Sequence, residues 1–151
     1  MLTWQSTLHD LGVSEIDDTH ETFVRLLNEA IRASDEDFTY LLDALVEHTR
    51  RHFENESRLM RTFSFPAIGE HESDHRRVLA DLLHMQNAVA EGRLSFARLY
   101  VNQGLPYWFR NHLATMDAAL AACINKTTRP WPATAVLPVS DKPRVLSGRA
   151  S

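Results

Sequence analysis

The chain is poor in cysteine, in long apolar runs, in alternating segments and in clustered cations, and each shortage argues against a class of protein. Cys123 is the single cysteine and has no partner for an internal disulfide, so no disulfide framework supports the fold. It reads as a small apolar residue in a reducing compartment. No run of about 18 apolar residues is present that could span a bilayer, and the opening MLTWQSTLHD lacks the basic and apolar regions of a secretory signal. A cytoplasmic protein without membrane insertion is expected. Net charge is −4, and beyond residue 128 Arg129, Lys142, Arg144 and Arg149 face Asp141 alone, so the body is acidic. Nucleic acid is disfavoured as a partner, because phosphate binding needs clustered Lys and Arg. The pairs Arg50–Arg51 and Arg76–Arg77 fall within helical patterns and read as solvated faces.

Apolar residues recur instead at helical spacing through four segments, which makes the protein all-α and, at 151 residues, a single domain's worth of chain. Helix A is expected over 17–33, with Ile16, His20, Phe23, Leu27, Ala30 and Ile31 on one stripe. After a polar break at 34–37, helix B over 37–62 passes through Leu41, Leu45, His48 or Thr49, His52, Glu56, Leu59 and Met60. Ser64-Phe65-Pro66 ends it, since a residue before proline avoids the α region. Helix C over 66–90 carries Ile68, His71, His75, Val78, Leu79, Leu82, Met85 and Val89, with Gly92 as its C-terminal cap. Helix D, capped by Ser95 and interrupted near Pro106, carries Phe96, Leu99, Phe109, His112, Leu113, Met116, Leu120 and Ile124. Four such helices with short joins give an up-down-up-down antiparallel four-helix bundle over 1–127, behind a short N-terminal arm. Pro130, Pro132, Pro138 and Pro143 mark 128–151 as an extended or disordered Pro-rich tail, with Trp131 and Leu137 as anchors for a protein partner.

Eight histidines are the compositional anomaly. His20, His52, Glu56, His71, His75 and His112 all fall on stripes that must face the core, where a carboxylate persists only when paired, hydrogen-bonded or metal-bound. His52 with Glu56 and His71 with His75 are spaced i,i+4, one above the other on a helix face. His112 and Asp117 are i,i+5, an angle of about 140° in an α-helix, although Asp117 shares the stripe of Leu113 and Leu120. In an antiparallel bundle all seven meet at one end and at similar depth. Imidazole suits iron, zinc, copper and nickel, and the absence of cysteine from the set argues against thiolate sites. Seven donors exceed the needs of one ion, so two ions with bridging carboxylates are implied. His9 and His84 read as surface residues, and His48 as a neighbour able to support His52.

The pieces Trp4, Ile16-Asp17-Asp18-Thr19-His20, His52-Phe53-Glu54-Asn55-Glu56 with Met60, His71-Glu72-Ser73-Asp74-His75 and the run from Trp108 to Asp117 together resemble the hemerythrin family in its single-domain bacterial form. The resemblance implies two non-haem irons, one held by His71, His75 and His112 and the other by His20 and His52. Glu56, Asp117 and an oxo or hydroxo group would bridge both. It leaves the second iron one ligand short, and that position would take O2. Reversible oxygen binding for transport, storage or sensing follows, rather than enzymatic turnover; the alternative is a di-iron oxidoreductase acting on peroxide, O2 or nitric oxide. Phe23, Phe53, Trp108, Phe109, Leu113 and Met116 are expected to line a dry O2 pocket. One departure concerns Phe109, three residues before His112, where the family commonly has leucine; the larger ring is expected to narrow that pocket.

Overall fold

The joins between helices decide where the site falls. In the computed structural model, which describes residues 1–128, a short arm and α1 (Ser6–His9) lead into α2 (Ser14–Arg32). Next comes α3 (Asp35–Thr62), whose N-cap Ser34 accepts the Asp37 amide at 3.2 Å. Asp35, Glu36 and Asp37 in its first turn complement the positive end of the helix dipole. The helix stops in a Schellman turn: the Phe65 amide bonds the Met60 carbonyl at 2.8 Å and the Ser64 amide bonds that of Arg61 at 3.2 Å. Ser64 sits there at φ 51°, the left-handed region. Phe65 then seats among Ile16, Leu59, Met60, Leu120 and Ile124.

The next helix, α4 (Ile68–Ala90), begins two residues after the expected Pro66, because the chain turns at 66–67 before it can re-enter the α region. It closes as the sequence predicts, with Gly92 at φ 82° and the Arg93 amide bonded to the Ala88 carbonyl at 2.8 Å.

The last long helix is three segments, α5 (Leu94–Leu99), α6 (Leu105–His112) and α7 (Ala118–Thr128), joined by π turns at Tyr100–Gly104 and Leu113–Asp117. Ser95 is not its cap: Arg93 holds that position without a side-chain bond, since the Schellman turn feeds directly into α5. The interruption expected at Pro106 occurs in the turn before it. There the Leu105 amide reaches back five residues to the Tyr100 carbonyl, a widening that makes room for a proline ring with no N–H to offer. Gly104 allows the Tyr100 ring to pack against this turn, because a Cβ at that position would lie 2.9 Å from the ring. The inward stripe of this helix runs through Ala97, Val101 and Leu105, so Phe96 and Leu99, expected to face inward, are 44% and 54% exposed.

Helices α2 and α3, α3 and α4, and α4 and α5 pack as successive neighbours, and α2 against Tyr100–Gly104 completes the ring. Every regular element among the described residues is helical, in the up-down-up-down antiparallel arrangement the short joins dictate. Phe23, Leu27, Phe38, Leu42, Leu45, Val78, Leu82 and Leu105 fill the core at 1% exposure or less. No helix among the described residues is long and apolar enough to cross a membrane. Thr128 carries α7 one residue past the expected end of the bundle at 127. The expected tail over 128–151, with Trp131 and Leu137, lies from 129 onward outside the described residues.

Candidate metal centre

Four helices each deliver polar side chains to one end of the bundle: α2 gives His20, the last turns of α3 give His52 and Glu56, and the first turns of α4 give His71 and His75. His112 ends α6, and Asp117 follows across the second π turn. In that turn the Ala118 amide bonds the Leu113 carbonyl, five residues back, so the backbone absorbs one extra residue. That extra residue resolves the i,i+5 spacing and brings His112 Nε2 to 3.0 Å from Asp117 Oδ1. All seven residues are buried, none more than 6% exposed.

The donor atoms converge in a definite pattern. Glu56 Oε1 lies 2.6 Å from His52 Nε2 and 3.6 Å from His20 Nε2, while its Oε2 lies 3.1 Å from His71 Nε2 and 3.2 Å from His75 Nε2. Asp117 Oδ2 is 3.0 Å from His20 Nε2, and its Oδ1 is 3.2 Å from His71 Nε2. His75 Nε2 and His112 Nε2 approach each other at 3.0 Å. Both groupings of donors that could hold a metal ion share Glu56: one adds His71, His75, His112 and Asp117, the other His20 and His52.

The electrostatics are those of a site built for cations. Burial alone would push His20 and His71 towards neutrality, but the close Asp117 and Glu56 carboxylates overcome it and raise each to about 9. Burial likewise opposes charge on Glu56 and Asp117, yet the imidazoles around them hold both carboxyls well below the usual range. His75 is lowered, chiefly by burial. Protons only partly satisfy this cluster: Asp117 Oδ1 and Oδ2 and His20 Nε2 are buried without a well-formed hydrogen bond. Such a concentration of anionic and imidazole donors, unpaired and inward, fits a hard or borderline metal ion.

The expected O2-pocket residues divide by position. Phe109 meets His20 edge-on at 5.5 Å between centroids and stacks on Phe23 at 4.7 Å. Leu113 and Phe109 line a 200 Å³ cavity beneath the N-terminal arm, together with Leu2, Trp4 and His9. Phe53 lies flat on His75 at 3.7 Å and 5.6 Å from His52. Trp108 and Met116 sit instead on the His112 side, around a separate 430 Å³ cavity, where Trp108 stacks on His112 at 4.7 Å.

The remaining histidines play other parts. His48 Nε2 lies 3.0 Å from the Thr19 carbonyl and so ties α3 to α2 beside His20. His9, expected at the surface, is half-buried: it accepts the Gln5 amide at 2.9 Å and packs at a tilt against Trp4. His84 is exposed. Sequence reasoning passed over Asp74, whose carboxylate accepts both His112 Nδ1–H at 2.7 Å and Trp108 Nε1–H at 2.8 Å. Its place one residue before His75 was the available signal.

Residues 11–124 match the family model described as the hemerythrin HHE cation binding domain. A bacteriohemerythrin of Ralstonia nicotianae is 36% identical over 117 residues, spanning 78% of this chain and 84% of its own. A second bacteriohemerythrin, from Methylococcus capsulatus, is 22% identical over 133 residues, spanning 83% of this chain and 98% of its own. The crystal structure of a wild-type hemerythrin shares the fold with a TM-score of 0.72 at 20% identity, covering 82% of this chain and 98% of that one. A bundle whose four helices each send histidine or carboxylate to one buried cluster, matched over three quarters of its length by these proteins, belongs to the hemerythrin family.

Proposed function

We propose that the seven residues hold two iron ions and that the protein binds O2 reversibly, as a carrier, store or sensor rather than as an enzyme. The observation that carries this reading is the way each carboxylate divides its oxygens. Glu56 turns Oε1 to His52 and Oε2 to His71 and His75, while Asp117 turns Oδ2 to His20 and Oδ1 to His71 and His112. The donor set therefore falls into a half with three imidazoles and a half with two, joined by carboxylates able to bridge. The poorer half offers one protein donor fewer, the property of a metal site that keeps a position for an outside ligand.

Bound ferrous iron would supply the electrons that O2 binding requires. The chain's own contribution is placement and exclusion of water. His20 and His52 present their Nε2 atoms towards the shared carboxylates, and Phe109, Phe23 and Phe53 wall that half with rings that carry no transferable proton. Dryness and the lack of acids keep the ferrous state from being lost by protonation of reduced oxygen.

Anaerobic reconstitution with ferrous iron tests this directly. Metal analysis should give two irons per chain, and admitting air should produce a visible absorption that nitrogen purging reverses. Sustained oxygen or peroxide consumption with a reductant, with no reversible spectrum, would replace the carrier reading with an oxidoreductase one. A chain that takes up no iron would remove both.

A further inference from the structure

Among the five imidazoles of the cluster, His112 stands apart in having a partner for its outward nitrogen. The Nδ1 atoms of His20, His52, His71 and His75 are buried without a hydrogen-bond partner, whereas His112 Nδ1 lies 2.7 Å from Asp74 Oδ2. The same oxygen accepts Trp108 Nε1–H at 2.8 Å, and the Trp108 ring stacks on the His112 ring at 4.7 Å and 27°. Asp74 Oδ1 is occupied by Arg77 Nη2 at 2.7 Å. Asp74 is thus fixed from three directions by groups on its own helix and on α6, and its one remaining role is towards His112. A carboxylate that accepts Nδ1–H keeps a proton on Nδ1 and holds Nε2 facing Asp117 and His75, ready to offer its lone pair once a metal ion takes the place of a proton there. It also makes the ring a stronger electron donor.

We infer that Asp74 is a positioning residue for the metal centre, which locks the tautomer and orientation of His112 and strengthens its donation to the metal, with Trp108 as the brace that holds both in register. This rests on the reading of His112 as a metal ligand. Asp74 is 17% exposed and borders the 430 Å³ cavity shared with Tyr100, Trp108 and Met116. This carboxylate is therefore the link between the cluster and the bundle surface on that side. A substitution there changes the centre electronically without removing a ligand.

The test uses the full-length chain. In the metal-free wild type, nitrogen-15 NMR of the histidine rings should show His112 carrying a strongly hydrogen-bonded, slowly exchanging proton on Nδ1. Ferrous iron affinity should fall about 10- to 100-fold in Asp74→Ala, fall less in Asp74→Asn, and recover in part in Asp74→Glu. The reduction potential of the loaded Asp74→Asn protein should move upward, a shift that a merely structural residue would not produce. A wild-type His112 found as the Nε2–H tautomer would overturn the inference whether or not any variant folds. So would Asp74 variants with wild-type circular dichroism, iron affinity and potential. Failure of the wild type itself to bind iron would instead strike at the function proposed above.

Discussion

At the residue scale the cluster has a pH signature of its own. In the metal-free chain His20 and His71 are raised to about 9 from an ordinary value of 6.5 by their carboxylate partners, against the opposing effect of burial. A raised folded-state value contributes stability that is fully present below about pH 6.5 and is lost as pH climbs through about 9. His75, lowered by burial, is neutral in folded and unfolded chains alike above about pH 7.5, so it does not blur that window. The urea midpoint of the metal-free chain should therefore fall between about pH 7 and 9.5, and a midpoint that rises would show these imidazoles to be unpaired. Metal must displace the same protons, so iron loading should release acid and tighten with pH over this range. Phe109 makes a second prediction. Replacing it with leucine removes the stacking on Phe23 and the edge contact with His20, at a stability loss of about 1 to 2 kcal/mol. The space opened beside His20 should speed O2 association several-fold in stopped-flow mixing, and an unchanged rate would mean that ligands arrive by another side. The candidate ligands were legible in the sequence because ionisable groups on apolar stripes demand a reason. Asp74 was not, since its side chain belongs to no stripe and only the approach of α6 brings it against His112 and Trp108.

At the element scale the sequence showed where helices should run but not how they end. Gly92 declared its left-handed turn, whereas Ser64 adopts the same conformation without the usual residue for it. Ser64→Gly should stabilise the fold by about 1 kcal/mol, since a left-handed conformation penalises any residue with a Cβ. Equilibrium unfolding would show it, and a loss of stability would mean the hydroxyl is needed. After Pro106, the i,i+5 spacing of His112 and Asp117 was the second visible sign that the last helix is not a plain α-helix. Its cause, the Ala118-to-Leu113 bond, is a backbone matter that side-chain periodicity cannot encode. Phe96 and Leu99 were assigned inward because a uniform helical period was carried through Tyr100–Gly104, where the π turn breaks it.

At the scale of the whole molecule, short joins and four stripes sufficed to give the bundle, because antiparallel packing is the only economical arrangement for helices so connected. A metal ion held by the cluster would act as a cross-link between all four. Stripping iron with a chelator should lower the thermal midpoint by several degrees or more, and the loss should grow with the iron affinity of the variant compared. Equal midpoints with and without metal would show a bundle indifferent to its own site. The order of the chain adds a constraint in time. His20, His52, Glu56, His71 and His75 leave the ribosome before His112 and Asp117, and the grouping that Glu56 forms with His71, His75, His112 and Asp117 is complete only when the final helix has emerged and docked. The same helix brings Val101 and Leu105 to the core beside Leu27, Leu42 and Leu82, so assembly of that grouping and closure of the bundle are one step. A metal ion held there could then enter or leave only as often as the last helix opens away from its neighbours.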